Sequence, residues 1–319
     1  MTPRNTARLA QALILAAFVG LAALLAVTTA EHLAQRGIRS GFDFLLEPAG
    51  FALGESLLAF EPEDTTLRAF AAGLANTLRV AVPGVLLALA VGVLTGFARM
   101  GDNPLVRGLA SAAIDVFRNV PLLLQLLAWY FILTDLLPAA DAALRLGPGV
   151  YLSKSGLALP WWGEQGFEPP EIAGFGIEGG ARLTPEYLAM LLGLVLYSAA
   201  YIAETLRAAV EALPPGQRLA ALAMGMTPRQ AFLLVLLPQA WRAALPPVTS
   251  QLLNLFKNAS LAVAIGYPDL VSVAGTSLNQ TGRAIECLSI VIAVYLLLSL
   301  AAAALSHRLE ARSLRGTPR

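Results

Sequence analysis

Charge is scarce in this chain. Only 13% of its 319 residues are Asp, Glu, Lys or Arg, while 57% are hydrophobic. A soluble domain carries about 25% charged and about 45–50% apolar residues, so a water-soluble globular fold is excluded. Cysteine is almost absent: Cys287 stands alone, no internal disulfide can form, and its place in an apolar run marks it as a small buried residue. His32 and His307 are the only histidines and lie far apart, so no metal site is expected. No G-x-x-x-x-G-K-[ST] phosphate loop, H-E-x-x-H pattern, Ser/His pair on adjacent apolar runs or central aspartate pair is present. The chain is therefore expected to be a non-catalytic one that binds no cofactor itself. A net charge of +1 identifies no partner, and none of the nucleic-acid class is expected. No internal repeat is visible, which leaves an inverted-repeat transporter without support.

What is there is a set of long apolar blocks. A crossing helix needs about 20 residues, and six stretches qualify: 9–30, 70–98, 110–137, 186–206, 243–266 and 284–305. The expected fold class is all-α, a polytopic membrane protein with about six transmembrane helices. The first stretch also reads as a signal peptide, with Arg4 and Arg8 ahead of it and Thr28-Thr29-Ala30 as a poor cleavage site. Its apolar run exceeds the usual 7–15 residues or so, which favours a retained helix. The fifth stretch is the weakest, because it holds Pro246, Pro247, Gln251, Asn254 and Lys257.

Arginine sets the orientation. Arg4 and Arg8, Arg99 and Arg107, Arg207, Arg218, Arg229 and Arg242, and Arg308, Arg312, Arg315 and Arg319 all fall on one side of a six-span chain. That side is the cytoplasm by the positive-inside rule, so both termini are expected there. The outer segments 31–68 and 138–185 are rich in Pro, Gly and acidic residues. Trp161-Trp162 in the second reads as an interfacial anchor, or as a docking surface for an outer partner.

Between the fourth and fifth stretches lies a polar segment bounded by prolines. Pro215 suits a first helical position, Gly225 a left-handed helix end, Thr227 an N-cap and Pro228 the first position of the next helix. Two short helices with a tight turn are predicted, a cytoplasmic lever suited to receiving force from a soluble partner.

This segment resembles the EAA loop of type I ABC importer permeases. Leu219-Ala220-Ala221 is followed by Gly225, and nine residues later by Val235-Leu236-Leu237-Pro238. Phe117-Arg118-Asn119-Val120-Pro121-Leu122-Leu123-Leu124-Gln125 is similar to the F-R-N-x-P-L-L-x-Q block of polar amino-acid permeases. Gly73-Leu74-Ala75-Asn76-Thr77 and Lys257-Asn258-Ala259-Ser260-Leu261-Ala262, running on to Tyr267-Pro268-Asp269-Leu270, complete the family order over about 70–306. The nearest resemblance is to permeases of the general L-amino-acid and glutamate/glutamine/aspartate/asparagine systems.

The resemblance implies a binding-protein-dependent, ATP-driven importer of polar L-amino acids in the bacterial inner membrane, working by alternating access. It implies ABC ATPase subunits that bind ATP and Mg, a second permease subunit, a periplasmic amino-acid-binding protein and the surrounding membrane lipid as partners. It divides the chain into an N-terminal helix and outer segment (1–68), a permease domain (69–306, with insert 138–185 and loop 211–240) and a tail (307–319). The coupling residues it points to are Gln217, Leu219, Ala220, Ala221, Leu222, Gly225, Met226 and Pro238. An apolar stripe of Leu219, Leu222, Ala223 and Met226 is expected to enter the ATPase groove. Leu219 replaces the family's opening glutamate. Either drift at a tolerant position or asymmetric coupling in a heterodimer accounts for it, and the heterodimer is favoured over a homodimer.

Polar residues inside apolar runs are the remaining candidates, since they usually face protein or a cavity. Gln251, Asn254 and Lys257 follow at steps of three, with Asn258 four after Asn254, so all share a helix face. That face lines a substrate path with Lys257 drawing in a carboxylate, or it serves interhelical hydrogen bonding. Glu204 is expected to pair with Arg207, and Arg118 belongs to the second block as a structural or gating residue. Arg79 is expected to reach the outer interface, with gating as its other reading. The competing function is an ion-gradient-coupled carrier acting without an ATPase, with Glu204, Asp115 and Glu286 as its few carboxylates near a span.

Overall fold

In the computed structural model the described residues are 41–163, 166–174 and 176–314, with scattered positions between 11 and 28. Those scattered positions are helical, and Leu13, Ile14, Phe18, Leu21 and Leu24 among them are exposed. The rest of the expected first span, Arg4, Arg8, residues 29–40, Arg315 and Arg319 lie outside the described residues.

Helix α1, Thr66–Met100, is capped by the Thr65 hydroxyl, which accepts from the Arg68 amide at 3.4 Å. Its 35 residues make about 50 Å of helix, more than a hydrocarbon core of about 30 Å. After a turn at Gly101, α2 (Pro104–Asn119) begins on an Asn103 cap, with Pro104 in its first turn. Then the expected continuous span 110–137 fails. The chain bends by 107° between α2 and the segment Leu122–Leu136, made of α3 (Leu122–Phe131) and a π-helical turn, Ile132–Leu136. The cause is Pro121: the residue before a proline is driven out of the helical region, and Val120 is extended at φ −93°, ψ 129°. The Gln125 amide donates to the carbonyls of Phe117 and Val120 at 2.9 and 2.8 Å. Carbonyls left bare at the end of α2 are thereby satisfied.

Residues 138–183 carry strands that the sequence pattern did not announce. β1 (Leu144–Gly147), β2 (Val150–Ser153), β3 (Gly156–Leu159) and β8 (Ala181–Leu183) form one antiparallel sheet in the order β1-β2-β3-β8. β4 (Trp161–Gly163) with β5 (Gly166–Glu168), and β6 (Glu171–Ala173) with β7 (Gly176–Glu178), are separate hairpins. The fold is helical in its apolar body and β only in this insert.

Helix α4, Pro185–Glu211, starts on a Thr184 cap. It is followed by α5 (Pro215–Ala223), α6 (Pro228–Gln230), a π-helical segment Ala231–Leu236, and α7 (Leu237–Asn258) running into a 3-10 segment, Ala259–Ile265. The expected span 243–266 is thus the end of a 38-residue rod, Pro228–Ile265, that passes through Pro246 and Pro247. Helices α8 (Leu270–Thr281) and α9 (Ala284–Leu314) complete the chain. Among the described residues, four helices are long and apolar enough to cross a membrane, and the bent α2–α3 pair makes a fifth.

α1 and α4 pack side by side. Arg79 meets Tyr187, Gly84 meets Leu191, Gly92 meets Ala199 and Ile202, Gly96 meets Ala203, and Arg99 meets Glu204. Both numbers rise together, so the helices are parallel, and the chain must return once between them. The α3 segment is that return. The seam follows Gly84, Ala88, Gly92 and Gly96, one small residue every four. Such a row lets helix backbones approach closely in a membrane.

At the other end of α1, the segment 41–65 folds over α8 and α9. Arg283 forms a two-pronged ion pair with Asp43, and Glu286 accepts from the Gly41 amide at 2.7 Å. Asn76 is fully buried and fully used: its amide donates to Glu55 and Pro268 carbonyls, and its oxygen accepts from the Leu57 amide, each at 2.9 Å.

A methyl group added at Gly92 would lie 2.8 Å from Ile202 Cβ and 2.9 Å from the Ala199 carbonyl oxygen, whereas at Gly108 it meets nothing within 4 Å. Gly92→Ala is therefore expected to lower stability by about 1–3 kcal/mol, and Gly108→Ala to be neutral or mildly stabilising. Thermal unfolding of the purified proteins checks this; equal melting temperatures for the two variants would refute the close seam.

Candidate functional site

The loop between α4 and the rod is built as its sequence predicts. Pro215 opens α5. The helix ends in two overlapping bonds, the Met226 amide to the Ala221 carbonyl at 3.2 Å and the Gly225 amide to the Leu222 carbonyl at 3.0 Å. That is a Schellman end, and Gly225 takes the left-handed conformation it needs, φ +84°. Thr227 then caps α6 in a reciprocal box: its hydroxyl accepts from the Gln230 amide at 3.3 Å, and Gln230 Oε1 accepts from the Thr227 amide at 2.9 Å.

Tertiary packing decides which face of α5 stays bare. Ala221 and Ala231 are buried where α5 leans on the π-helical segment. Leu222 and Met226, expected in the docking stripe, are half-buried against the chain. The exposed apolar face is Leu219, Ala220, Ala223 and Met224, with Leu219 65% and Met224 82% exposed. Gln217 is exposed beside it and lies 3.5 Å from the Gln239 amide. Pro238 sits on the rod instead, just after the π-helical segment. There the Leu237 amide reaches back five residues to Phe232, a wide turn that precedes the position where proline supplies no donor.

Glu204, Arg207 and Arg118 come together, joined by Arg99. Glu204 accepts from Arg207 at 2.7 and 3.0 Å and from Arg99 at 2.9 Å, with Arg118 at 3.7 Å. Asp115 lies 3.7 Å from Arg99, and Glu211 takes the far side of Arg207. Arg118 also lies over the Tyr201 ring, 5.4 Å from its centroid. One carboxylate thus ties α1, α2 and α4. Arg79 is not part of this cluster; twenty residues earlier on α1, it stands about 30 Å away. There Glu55 pairs with it and the Tyr187 ring lies 4.9 Å beneath it, so it is anchored between α1, α4 and the 41–65 segment.

Among the described residues, the polar face of α7 is only partly covered. Asn254 and Lys257 are exposed and Gln251 and Asn258 half-buried, while Ala244, Val248 and Leu255 pack inward. Leu255 meets Gly84 of α1, which places Lys257 in the half of the rod remote from the loop. Asn76 was missed as an anchor. An Asn-Thr pair inside an apolar helix was the signal available, because a buried amide demands three partners.

Residues 84–315 match the family described as binding-protein-dependent transport system inner membrane component. The chain belongs to that family and is a multi-pass membrane subunit of a transport system. It is 36% identical to the putative amino-acid ABC transporter permease protein YhdX of Escherichia coli (strain K12), over 93% of this chain and 91% of that protein. It is 35% identical to the general L-amino acid transport system permease protein AapQ of Rhizobium johnstonii, over 91% and 88%. A crystal structure of an amino acid ABC transporter with histidines superposes with a TM-score of 0.59 and 26% identity, covering 77% of this chain and 94% of that one. The MetNI methionine ABC transporter shares the fold, at a TM-score of 0.53 and 22% identity.

Proposed function

We propose that this chain is the permease subunit of an ATP-driven importer that moves polar L-amino acids inward across the bacterial inner membrane by alternating access. The observation that carries the mechanism is the loop: a capped helix with a bare apolar face, joined through one glycine turn to a 38-residue rod. ABC ATPase subunits holding ATP and Mg are its partners at that face, and a periplasmic amino-acid-binding protein delivers substrate at the other end. The carrier reading has less support, since Glu204 is bound by arginines and Glu286 accepts from the Gly41 amide, which leaves neither as a free proton relay.

The arginine-rich end, with the loop and both termini, is assigned to the cytoplasm. A reporter active only outside the cytoplasm is expected to be silent when fused after Arg319 and active when inserted between Ser153 and Gly156. Activity at the C-terminus would overturn the assignment.

Leu219 in place of an acidic residue, on the exposed face of α5, supports pairing with a different permease subunit that keeps the charge. Liposomes holding this chain, that second permease, the ATPase and the binding protein are expected to take up amino acid with ATP and not with an ion gradient alone. Full uptake with this chain as sole permease would sink the heterodimer, and gradient-driven uptake would sink the importer. In the same liposomes Gly225→Val is expected to hydrolyse ATP without uptake. Its left-handed backbone costs a β-branched residue about 1–2 kcal/mol, while a Cβ there meets nothing in the chain itself. Normal coupled uptake by that variant would remove the loop from the mechanism.

Lys257, Asn254, Gln251 and Asn258 are assigned to the substrate path, with the Lys257 ammonium drawing in the α-carboxylate. Lys257→Met is expected to cut uptake per assembled complex at least tenfold, a loss of about 1.4 kcal/mol or more, with basal ATP hydrolysis retained. Lys257→Arg recovers part, because a planar fork replaces a point charge poorly. Unchanged uptake by Lys257→Met would exclude the residue from the path.

A further inference from the structure

At the arginine-rich end, the turn after α1, the first turns of α2, the end of α4 and both arms of the loop enclose a cavity of about 930 Å³. Arg99, Arg107, Arg207, Arg218 and Arg229 line it, with Asp102 and Glu211 as the carboxylates. Arg99 and Arg207 are engaged by Glu204, Asp115 and Glu211. Arg107, Arg218 and Arg229 form no ion pair among the described residues, and Arg107 reaches only the Gly101 carbonyl, at 3.4 Å. Three guanidinium groups line one space in which Glu211 is already paired with Arg207 and Asp102 is the other carboxylate, an excess of positive charge that suits an anion with several acceptor oxygens. Phosphate meets the planar guanidinium fork with paired hydrogen bonds.

Helix α2 tells which phosphate. It is bent by 107° from the returning segment, so it lies across the direction of the crossing helices. Ala110 and Ile114 face the chain, while Leu105, Leu109 and Val116 form an outward stripe, 69%, 65% and 57% exposed. A helix lying across the bilayer direction with one bare apolar stripe rests at the headgroup–acyl boundary. Arg107, two residues from both Leu105 and Leu109, points to the opposite side of α2, so the helix sets the cavity at headgroup level with its apolar stripe turned to the acyl layer; Leu233, 42% exposed, gives the cavity an apolar surface of its own. A headgroup phosphate held in the cavity would therefore sit at the depth of the lipid phosphates, with the apolar surface at Leu233 against the start of its acyl chains. Free phosphate would leave that surface unused.

We propose that this cavity binds the phosphate of an anionic phospholipid of the inner leaflet, with Arg107, Arg218 and Arg229 as its ligands and Leu233 beside its acyl chains. The site touches both arms of the loop, so an occupied cavity holds the lever against the membrane surface. The inference rests on the chain lying in a membrane with this end at the cytoplasmic leaflet, and is independent of the amino-acid substrate.

The test uses the assembled transporter in nanodiscs of phosphatidylcholine with graded phosphatidylglycerol, with lipids retained after release counted by native mass spectrometry. The wild-type complex is expected to retain phosphatidylglycerol in preference to phosphatidylcholine, and excess inorganic phosphate should not displace it. The double variant Arg107→Gln/Arg229→Gln should hold phosphatidylglycerol roughly thirtyfold more weakly, from two lost arginine–headgroup contacts. Equal retention of the two lipids by the wild type would overturn the proposal. Displacement by inorganic phosphate would reassign the cavity to the free anion, and unchanged retention in the variant would remove these arginines. Should the variant fail to assemble, lipid preference and phosphate competition in the wild type still decide.

Discussion

Helices in a bilayer gain nothing from hiding apolar side chains from lipid, which is as apolar as they are. What remains is close van der Waals approach, and the contact of α1 with α4 supplies it. Gly92 lies where even one methyl would meet Ile202 and the Ala199 carbonyl, and Gly96 is closed by Ala203. Everything else is referred to this parallel pair. α3 must run back alongside it, and its Leu126 side chain lies where a Cβ on Gly193 would stand, 2.5 Å away. α7 lays Leu255 against Gly84 from the other direction. Polar locks close the two ends: Arg79 with Glu55 and Tyr187 at one, Glu204 with three arginines at the other. Such pairs add little in water, but here they fix the register of helices that packing alone could let slide by a turn.

The lever follows from that frame. α4 ends at Glu211, which itself pairs with Arg207 of the Glu204 cluster, and α5 begins four residues later at Pro215. α5 is held to the rod through Ala221 and Ala231, so a push on Leu219 or Met224 is delivered to the rod rather than absorbed in a slack loop. The π-helical segment and Pro238 put an irregular stretch of the rod next to the loop.

The loop was legible because its signals are local. Proline at a helix start, glycine at φ > 0 and a Thr-Pro cap act within four residues and need no tertiary help. The face α5 presents is only partly so: Leu219 and Ala223 are exposed as expected, whereas Leu222 and Met226 are half-buried, which depends on how α5 packs against the π-helical segment. The third span was misread because hydropathy adds apolar residues across a bend that Pro121 imposes and Gln125 then caps. Both residues belong to the block that resembles the permease family, and the block by itself does not disclose that role. The β insert was missed for a related reason: strands of three or four residues offer too little alternation to stand out from Gly- and Pro-rich turns. Glu204 with Arg207 was read from spacing; Arg99 and Arg118 come from other helices, and no spacing could add them.

The arrangement of α7 is a demand as well as a fact. Gln251, Asn254, Lys257 and Asn258 lie on one side of a helix whose other side is filled by Val248 and Leu255. An ammonium facing lipid at that depth costs about 2.5–3.5 kcal/mol on insertion scales, and two amides beside it add to the cost. The face must therefore meet water or protein. The rest of the described residues leaves Asn254 and Lys257 exposed, an arrangement that suits a second subunit, an aqueous path between the two, or both. Because the same rod begins at Pro228 beside the lever, any tilt imposed there swings this polar face at its far end. The loop and the polar groups thus lie at opposite ends of one 38-residue rod.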